Sequence, residues 1–242
     1  NTNWVLQDPN YFTTLAFVSL MEDGERDFYF NRGADGQLSP NDLTALNISD
    51  YGIVHFGSAT AFLPGPLQTT YTHLLAEAKS NNIIVSFDPN YRHLLFQNNL
   101  QSFIEQCWPF IEQCHFFKLS EEEALLITAC NSVQDAAAAL RKKTSAVFAI
   151  TLGKEGTLFS LEDHLEIIGS INITPIDATG AGDAFVGAVL YQLISYDPSQ
   201  LSKIDLAEWK KIIFNANKAG ARTCEYMGAM EAFKHLSKAI FE

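Results

Sequence analysis

Residues 175–187, PIDATGAGDAFVG, place two carboxylates on either side of a Thr-Gly-Ala-Gly turn. Gly180 and Gly182 can adopt backbone conformations that expose consecutive N–H groups. The apolar run that starts at Ala184 predicts a helix, so these N–H groups lie at its positive end, an arrangement that binds phosphate. Asp183 faces the same anion from the first turn, where it can take a proton from an attacking hydroxyl. The alternative is that Asp183 only caps the helix over a glycine turn.

Four other polar or glycine-bearing segments each follow an apolar run directly: HFGS, FDPNYR, FKLSEEE and ITLGKEG. The runs themselves, GIVHFG, IIVSFD, CHFFKLS and AVFAITLG, read as short buried strands. Continuous apolar strands separated by helices imply a mainly parallel sheet that is covered on both faces. Ligands of such sheets bind at the carboxyl ends of the strands. We therefore expect the four segments to line a site on one edge of the sheet.

Helices separate these strands. Helical patterns occur in PLQTTYTHLLAEAKSN, EEEALLITA, SVQDAAAALRKKT, GAGDAFVGAVLYQLIS and LAEWKKIIFNANKAGARTCE. The segment LQSFIEQCWPFIEQ is expected to be helical in part, with an interruption at Pro109. Near the start of the chain, residues 14–20 and 26–30 predict two strands around an Asp-Gly turn in MEDGE.

The bulk composition bounds the class of protein. The 242 residues are 47% apolar, which allows one large domain with a sizeable core. A formal net charge of −12 argues against a nucleic acid or an anionic membrane as partner. The sequence contains no run of about 18 apolar residues, so we expect no membrane span. The opening NTNWVLQDPNYFTT has no signal-peptide pattern. The four cysteines form no C-x-x-C pair, so we expect reduced, buried thiols and a cytoplasmic protein.

The segment DATGAGDAFVGA resembles the signature D-T-T-G-A-G-D-x-F of the ribokinase-like (PfkB) carbohydrate kinases, with Ala178 in place of the usual Thr. The resemblance implies an α/β, ribokinase-like Rossmann-type sandwich with a mainly parallel sheet, flanking helices and a small β-sheet lid. It implies that Asp183 is the general base that deprotonates a sugar hydroxyl. The N–H groups of Gly180, Ala181 and Gly182 would hold the transferring phosphoryl group.

On the sugar side, FDPNYR resembles the D-P-N-x-R segment of fructokinases and ketodeoxygluconate kinases. The resemblance implies that Asn90 and Arg92 face the substrate and the transferring phosphate, for which the fork of an arginine is suited. Gly57, in HFGS, is assigned to the same sugar site. Without the resemblance, a surface turn after a strand explains DPNYR equally well.

The segment TTLAFVSLMEDGERDFYFNRGAD resembles the lid of fructokinases, with lid strands at about residues 13–32 and Arg32 and Asp35 at the exit, on the substrate side. A closing lid excludes water, which otherwise competes as a phosphoryl acceptor. An apolar lid face would also serve as the surface of a homodimer.

The segment KLSEEEALL resembles the K-x-N-x-x-E element of the same family. Glu123 takes the position that organises magnesium through water, and Lys118 takes the lysine position beside the nucleotide. Ser120 stands where the family more often has Asn. The alternative for this glutamate run is a solvated first turn that complements the helix dipole.

Two further segments resemble nucleotide-binding elements. TLGKEGTLF matches T-L-G-x-x-G at Thr151, Gly153 and Gly156, although a hairpin turn between two strands explains the same residues. NANKAGARTCEYMGAM resembles the closing adenine-side segment and supplies Asn217 and Gly220. Residues that are usually small or apolar in this segment are replaced by Lys218, Arg222 and Glu225.

In many family members a monovalent cation lies behind the anion-binding loop. The corresponding groups here are Asp177, Thr179 and backbone oxygens near Gly228. The family's N-terminal Gly-Gly segment, with an Asp and an Asn that bind the sugar, has no match. We therefore expect residues 1–242 to form a single kinase domain that lacks its N-terminal portion.

These features together predict the ATP-dependent phosphorylation of a sugar hydroxyl, with fructose converted to fructose 6-phosphate. The expected cofactors are ATP and Mg²⁺, with K⁺ as the candidate monovalent cation, and the expected partner is a small-molecule sugar. A 2-keto-3-deoxygluconate kinase is an alternative, since Arg32 and Arg92 could clamp a carboxylate. The second alternative is a non-catalytic binding or regulatory protein that derives from a kinase.

Overall fold

A computed structural model describes residues 2, 4–20, 26–96 and 98–241. Strands β1 (Leu15–Leu20) and β2 (Arg26–Asn31) pair antiparallel into a separate two-stranded sheet, as the sequence predicts. Phe17 and Tyr29 are paired in this register, with ring centroids 6.3 Å apart. The Asp-Gly turn expected in MEDGE lies outside the described residues.

The main sheet has six strands in the order of the chain. They are β3 (Ile53–Gly57), β4 (Ile84–Asp88), β5 (Phe116–Ser120), β6 (Val147–Thr151), β7 (Thr157–Leu161) and β8 (His164–Ile168). β3 to β6 are parallel neighbours. Their carboxyl ends therefore share one edge, and the four polar segments lie together there, as expected from their continuous apolar runs.

The last two strands of the sheet are antiparallel. β7 was expected only in the hairpin alternative for T-L-G-x-x-G, and β8 was not predicted. β7 folds back on β6 through the T-L-G-x-x-G segment, and β8 pairs with β7 after a two-residue turn at Glu162 and Asp163. Glu162 has a φ of 49°, in the left-handed region that two-residue hairpins use. The alternation of polar and apolar residues from His164 to Ile167 was the signal available in the sequence.

Helices cover the main sheet on both faces. They are α1 (Pro66–Ser80), α2 (His93–Phe96), α3 (Leu100–Gln113), α4 (Glu121–Thr128), α5 (Val133–Arg141), α6 (Ala181–Leu193), α7 (Pro198–Leu201) and α8 (Leu206–Thr223). One core packs α1, α3, α4 and α5 against one face of the sheet, and a second packs α6 and α8 against the other. The result is an α/β sandwich with a small separate sheet.

The expected interruption of a helix at Pro109 is wrong. α3 runs without a break from Leu100 to Gln113, with Pro109 inside it. A proline in a helix interior removes one hydrogen bond and costs about 3 kcal/mol. Pro109 and Glu105, whose carbonyl loses its partner, both lie on the exposed side, where water can satisfy that carbonyl. Burial of the opposite face, which includes Phe103 and Phe110, offsets the cost.

None of the helices in the described part of the chain is long and apolar enough to cross a membrane. In the described part of the chain the four cysteines form no disulfide, and Cys107 and Cys114 are buried. Burial raises the pKa of both buried thiols, so they stay protonated at neutral pH.

Candidate active site

The glycine turn ends at the N-terminus of α6, which begins at Ala181. Gly180 is the N-cap, with a φ of 82°, and a Cβ at this position would lie 2.7 Å from Cβ of Ala229. Only glycine fits both restraints. Within the described residues, the N–H groups of Gly180 and Gly182 have no hydrogen-bond partner, whereas Ala181 N donates to Ala178 O at 3.2 Å. Two of the three predicted donors are therefore available for an anion in this structure.

Asp183 lies in the first turn of α6 and is exposed. Among the residues that the structure describes, its carboxylate has no hydrogen-bond or ion-pair partner, so it does not act as the helix cap. A negatively charged side chain at the positive end of a helix is favourable. The group is thus free to accept a proton beside the anion loop, which we define as residues 177–183.

Asp177 is buried behind the anion loop. Its Oδ1 accepts a hydrogen bond from Thr179 N at 2.7 Å, and its Oδ2 accepts one from Gly228 N at 2.8 Å. The backbone N–H groups of Ile176 and Asp177 donate to Cys224 O at 2.7 and 3.1 Å. The structure thus brings together the three residues predicted around a monovalent cation, and Gly228 contributes its N–H to the contact with Asp177.

A buried ionic cluster lies below the anion loop, at the ends of β4 and β5. Lys118 Nζ is 3.3 Å from Asp88 Oδ2 and 3.8 Å from Glu123 Oε2. Burial disfavours the charge on Lys118, but the two carboxylates outweigh it and raise its pKa. Burial raises the pKa of Asp88 to about 6, against the attraction of Lys118. Asp88 was not singled out in DPNYR, because its partner Lys118 is 30 positions away in the sequence.

Glu123 connects two of the strand-end segments. Its Oε2 accepts a hydrogen bond from Ser120 N at 2.7 Å, and its Oε1 accepts one from Tyr91 N at 2.7 Å. Ser120 Oγ in turn accepts from Glu123 N at 3.1 Å, which completes a capping box at the start of α4. The solvated-turn interpretation fits Glu121 and Glu122, which are exposed, but is wrong for the buried Glu123.

The predicted sugar-side residues follow β3 and β4. Asn90 adopts a φ of 49°, and its N–H donates to Asp88 Oδ1 at 3.0 Å. Arg92 is half-buried, and its Nη1 donates to Tyr91 O at 3.1 Å. The segment after Gly57 is tied to the same place, because Ser58 N donates to Asp88 O at 3.1 Å. Gly57 and Asp88 are direct partners in the β3–β4 register.

His55 is a functional candidate that sequence reasoning missed, although it stands in the quoted segment HFGS. Its Nδ1 is 3.1 Å from Ser86 Oγ, and its Nε2 lies 3.3 Å from the position that a Cβ on Gly57 would occupy. Desolvation lowers the pKa of His55; the attraction of Asp183 opposes this shift and the charge of Lys118 adds to it. The imidazole is therefore neutral at pH 7 and within electrostatic range of Asp183.

Arg32 and Asp35 form the junction between the small sheet and the body. Asp35 accepts hydrogen bonds from the hydroxyls of Thr14 and Thr60, one through each carboxylate oxygen. Burial opposes ionisation of Asp35, but these hydrogen bonds and the charge of Arg32 outweigh it, so its pKa is lowered. Arg32 Nη1 donates to Pro64 O at 2.7 Å. Its Nε and Nη2 are buried without a hydrogen-bond partner among the described residues.

The T-L-G-x-x-G segment forms the turn between β6 and β7, so the hairpin interpretation is confirmed. Thr151 Oγ1 donates to Leu119 O at 3.3 Å. Gly153 and Gly156 have φ values of 58° and 102°. A Cβ on Gly156 would lie 2.1 Å from Ile168 O, so this glycine allows the turn to pack directly on the end of β8.

α8 passes behind the anion loop. A Cβ on Gly220 would lie 3.0 Å from Ala181 O, so glycine is what allows α8 to approach the start of α6. Asn217, one turn earlier, is buried, and its side chain bonds to the ends of β7 and β8. Neither residue presents a free polar side-chain group towards solvent.

The chain matches the model of the pfkB family of carbohydrate kinases over residues 1–236. It is 33% identical to Fructokinase-1 of Zea mays over 231 residues, which are 93% of this chain and 69% of the relative. Fructokinase-1 of Oryza sativa subsp. japonica shows the same identity and coverage.

Two solved structures are also similar. A fructokinase double mutant from Vibrio cholerae O395, in a form with bound fructose, ADP and potassium ion, has a TM-score of 0.81 and 26% identity, over 97% of this chain and 73% of that one. A fructokinase with bound ATP from Xylella fastidiosa has a TM-score of 0.83 and 25% identity, over 93% and 71% of the two chains. The chain therefore belongs to the pfkB family of carbohydrate kinases and has the ribokinase-like α/β fold.

Proposed function

We propose that the protein transfers a phosphoryl group from ATP to a sugar hydroxyl, with fructose as the sugar and fructose 6-phosphate as the product. One observation carries the proposal: the unpaired carboxylate of Asp183 stands beside the free N–H groups of Gly180 and Gly182 at the positive end of α6. The curated relatives are named fructokinases, and one similar structure holds fructose, ADP and potassium. These names support the choice of sugar.

The proposed reaction consists of a proton transfer to Asp183 and the transfer of the γ-phosphoryl group from ATP to the sugar. Asp183 accepts the proton of the sugar's terminal hydroxyl as the oxygen forms a bond to the γ-phosphorus. The bond between the γ-phosphorus and the bridging oxygen breaks, and ADP leaves with that electron pair. The N–H groups of Gly180 and Gly182 donate to the phosphoryl oxygens as their charge is redistributed. We assign the same role to Ala181 N, which would exchange its bond with Ala178 O.

Glu123 fits the role of organising magnesium through water. Each of its carboxylate oxygens accepts one backbone N–H bond, and an ionised carboxylate has about four acceptor sites, so capacity for metal-bound water remains. When bound, magnesium neutralises charge on the phosphates. We place potassium with Asp177, Thr179 and the backbone at Gly228, where the buried carboxylate supplies the negative charge.

The remaining candidate residues are assigned either to the nucleotide side or to the sugar side of the site. We propose that Lys118, Ser120, Asn217, Gly220 and the T-L-G-x-x-G segment at Thr151, Gly153 and Gly156 build the nucleotide side. Lys118 can act through its charge, whereas Ser120 acts as the cap that fixes Glu123. The sugar side is assigned to Gly57, Asn90, Arg92, Arg32 and Asp35. In the structure Asp35 holds the junction between the small sheet and the body, so its part in sugar binding would follow a change in those bonds.

A second candidate is the phosphorylation of 2-keto-3-deoxygluconate. It is favoured by Nε and Nη2 of Arg32, which have no hydrogen-bond partner among the described residues, although Nε lies 3.8 Å from Asp35 Oδ2. Guanidinium donors that are not yet used suit a carboxylate. The non-catalytic alternative is less favoured, because the free carboxylate of Asp183 has no structural task.

We also propose that the small sheet is a lid and a dimer surface. Its outer residues Leu15, Phe17 and Tyr29 are 48%, 56% and 69% exposed, and a contiguous apolar surface of this kind is typical of an interface. A cytoplasmic location is part of the same proposal, supported by the reduced, buried thiols of Cys107 and Cys114.

The test is an ATP-consumption assay of the full-length protein with fructose, 2-keto-3-deoxygluconate, ribose and adenosine. We expect turnover with fructose. For Asp183→Asn we expect turnover to fall by roughly 10²–10⁴-fold while ATP still binds, because only the proton acceptor is lost. Turnover of Asp183→Asn close to that of the wild type would refute the assignment of the base. Inactivity on all four compounds would refute the choice of sugar and favour the non-catalytic alternative.

A further inference from the structure

Three residues on one face of α8 hold two parts of the candidate nucleotide site, the anion loop and the turn between β6 and β7. Asn217 and Gly220 are spaced i and i+3 on α8, and the C-cap residue Cys224 continues the same stripe at i+7. Gly220 packs against Ala181 at the start of α6, and the carbonyl of Cys224 accepts the N–H groups at the start of the anion loop. α6 and α8 make the most extensive contact between elements in the described structure. The anion loop is thus attached to α8 at two points.

Asn217 attaches the other part of the site to the same stripe. Its Oδ1 accepts a hydrogen bond from Thr157 Oγ1 at 2.7 Å. Its Nδ2 donates to Ile168 O at 2.8 Å and to Gly169 O at 3.2 Å. An amide NH₂ has two donors, and both are used within the protein. Asn217 therefore has no donor left for a nucleotide, and any effect on nucleotide binding must act through these partners.

These partners are the base of the turn between β6 and β7. Thr157 directly follows Gly156, and a Cβ on Gly156 would lie 2.1 Å from Ile168 O and 2.8 Å from Cα of Gly169. The carbonyls that Asn217 holds are therefore the surface on which the turn rests. Because Thr157 and Asn217 are buried, water cannot easily replace these bonds.

We infer that Asn217 and Thr157 are positioning residues, which fix the turn at Thr151–Gly156 relative to the anion loop. The turn and the anion loop are then both attached to α8, which keeps the distance between them constant. The inference rests on the proposed function, in which the turn and the anion loop bind the two ends of one nucleotide. Loss of the Asn217 bonds should weaken the binding of the nucleotide and leave the sugar side unchanged.

The test compares Asn217→Ala and Thr157→Val with the wild-type full-length protein. The primary measurement is ADP binding by titration calorimetry, because it does not depend on turnover. We expect the Kd for ADP to rise roughly tenfold in either variant, since each leaves buried polar groups without partners. The KM for ATP should rise together with the Kd for ADP, while the KM for the sugar should stay at the wild-type value.

Two variants separate positioning from a general loss of stability. Thr157→Ser keeps the hydroxyl and should restore wild-type ADP binding. Asn215→Ala removes another buried asparagine of α8, whose Nδ2 donates to Gln192 Oε1 at 2.8 Å. This control should lower the melting temperature without changing the Kd for ADP.

The outcomes are distinct. Normal ADP binding by Thr157→Val, or an equal loss in Asn215→Ala, would overturn the inference even if Asn217→Ala does not fold. Absence of ADP binding by the wild type would overturn it as well. If the wild type binds ADP as expected but phosphorylates no sugar, the proposed function fails while the positioning of the turn by Asn217 and Thr157 stands on the binding data.

Discussion

Lys118 Nζ lies 3.3 Å from the position that a Cβ on Gly182 would occupy. A buried ammonium thus stands directly against the anion loop, in which the N–H groups of Gly180 and Gly182 have no hydrogen-bond partner among the described residues. Asp88 and Glu123 keep Lys118 charged at this place. The positive potential of the loop therefore comes from a side chain as well as from the end of α6.

Replacing Lys118 with Met should remove this charge and leave two carboxylates below the anion loop. We expect kcat/KM for ATP to fall by roughly 10²–10³-fold, the range for loss of one preorganised stabilising group. Steady-state kinetics at fixed sugar concentration measures the effect, and a melting curve shows whether the variant is folded. A folded Lys118→Met variant with the wild-type kcat/KM would contradict this role.

Asp177 predicts a response to monovalent cations. At constant ionic strength, replacement of choline by potassium should raise the activity of the wild type, because the buried carboxylate of Asp177 supplies the charge for the cation. Asp177→Asn should lose the response. It should also lower the free energy of unfolding by about 1–3 kcal/mol, since the carboxamide cannot accept from both Thr179 N and Gly228 N as the carboxylate does. If the activity of the wild type is the same in potassium and in choline, the proposal of a cation at this site is refuted.

Gly180→Ala tests the geometry of the anion loop. A side chain at a φ of 82° costs about 1–2 kcal/mol, and its Cβ would meet Ala229 at 2.7 Å. We expect a lower melting temperature and weaker ATP binding. Gly187→Ala is the matched control on α6, since a Cβ there meets nothing within 4 Å and alanine is the better helix former. A gain in stability from Gly187→Ala together with an unchanged Gly180→Ala would show that the loop tolerates a side chain.

Asp35 predicts a dependence of stability on pH. Its pKa in the folded protein lies below the usual value, so the stabilisation is present above pH 4 and is lost as the pH falls through the lowered pKa. Asp35→Asn should lower the free energy of unfolding at pH 7 by roughly 1–2 kcal/mol, since its charge-assisted hydrogen bonds with Thr14 and Thr60 are lost. Urea unfolding between pH 3 and pH 7 should show the difference shrinking towards acid. Parallel curves for the two proteins would exclude this contribution.

Much of the fold could be predicted because its signals are local. β3 to β6 are continuous apolar runs, and the four segments after them share one edge by the geometry of a parallel sheet. The glycine turn and α6 follow from residues 177–193 alone. Pro109 misled the prediction because burial of the opposite helix face is not visible in the local sequence.

The pairings within the site could not be predicted, because they join residues that are distant in sequence. Asp88 and Lys118 are 30 residues apart, and Asn217 and Thr157 are 60 residues apart. Which of them meet depends on the register of neighbouring strands and on where α8 crosses the sheet. His55 was missed for the same reason, since its relation to Asp183 exists only once β3 lies beside α6.

The contacts made by one stripe of α8 should make this helix less tolerant of insertions and deletions than of substitutions. One residue inserted between Asn217 and Gly220 would turn the rest of α8 by about 100° and advance it by about 1.5 Å. Gly220 and Cys224 would then no longer face α6 and the anion loop. Substitutions on the exposed side of α8 leave this spacing intact. Insertions and deletions between Asn217 and Cys224 should therefore be eliminated wherever the chain must act on a nucleotide.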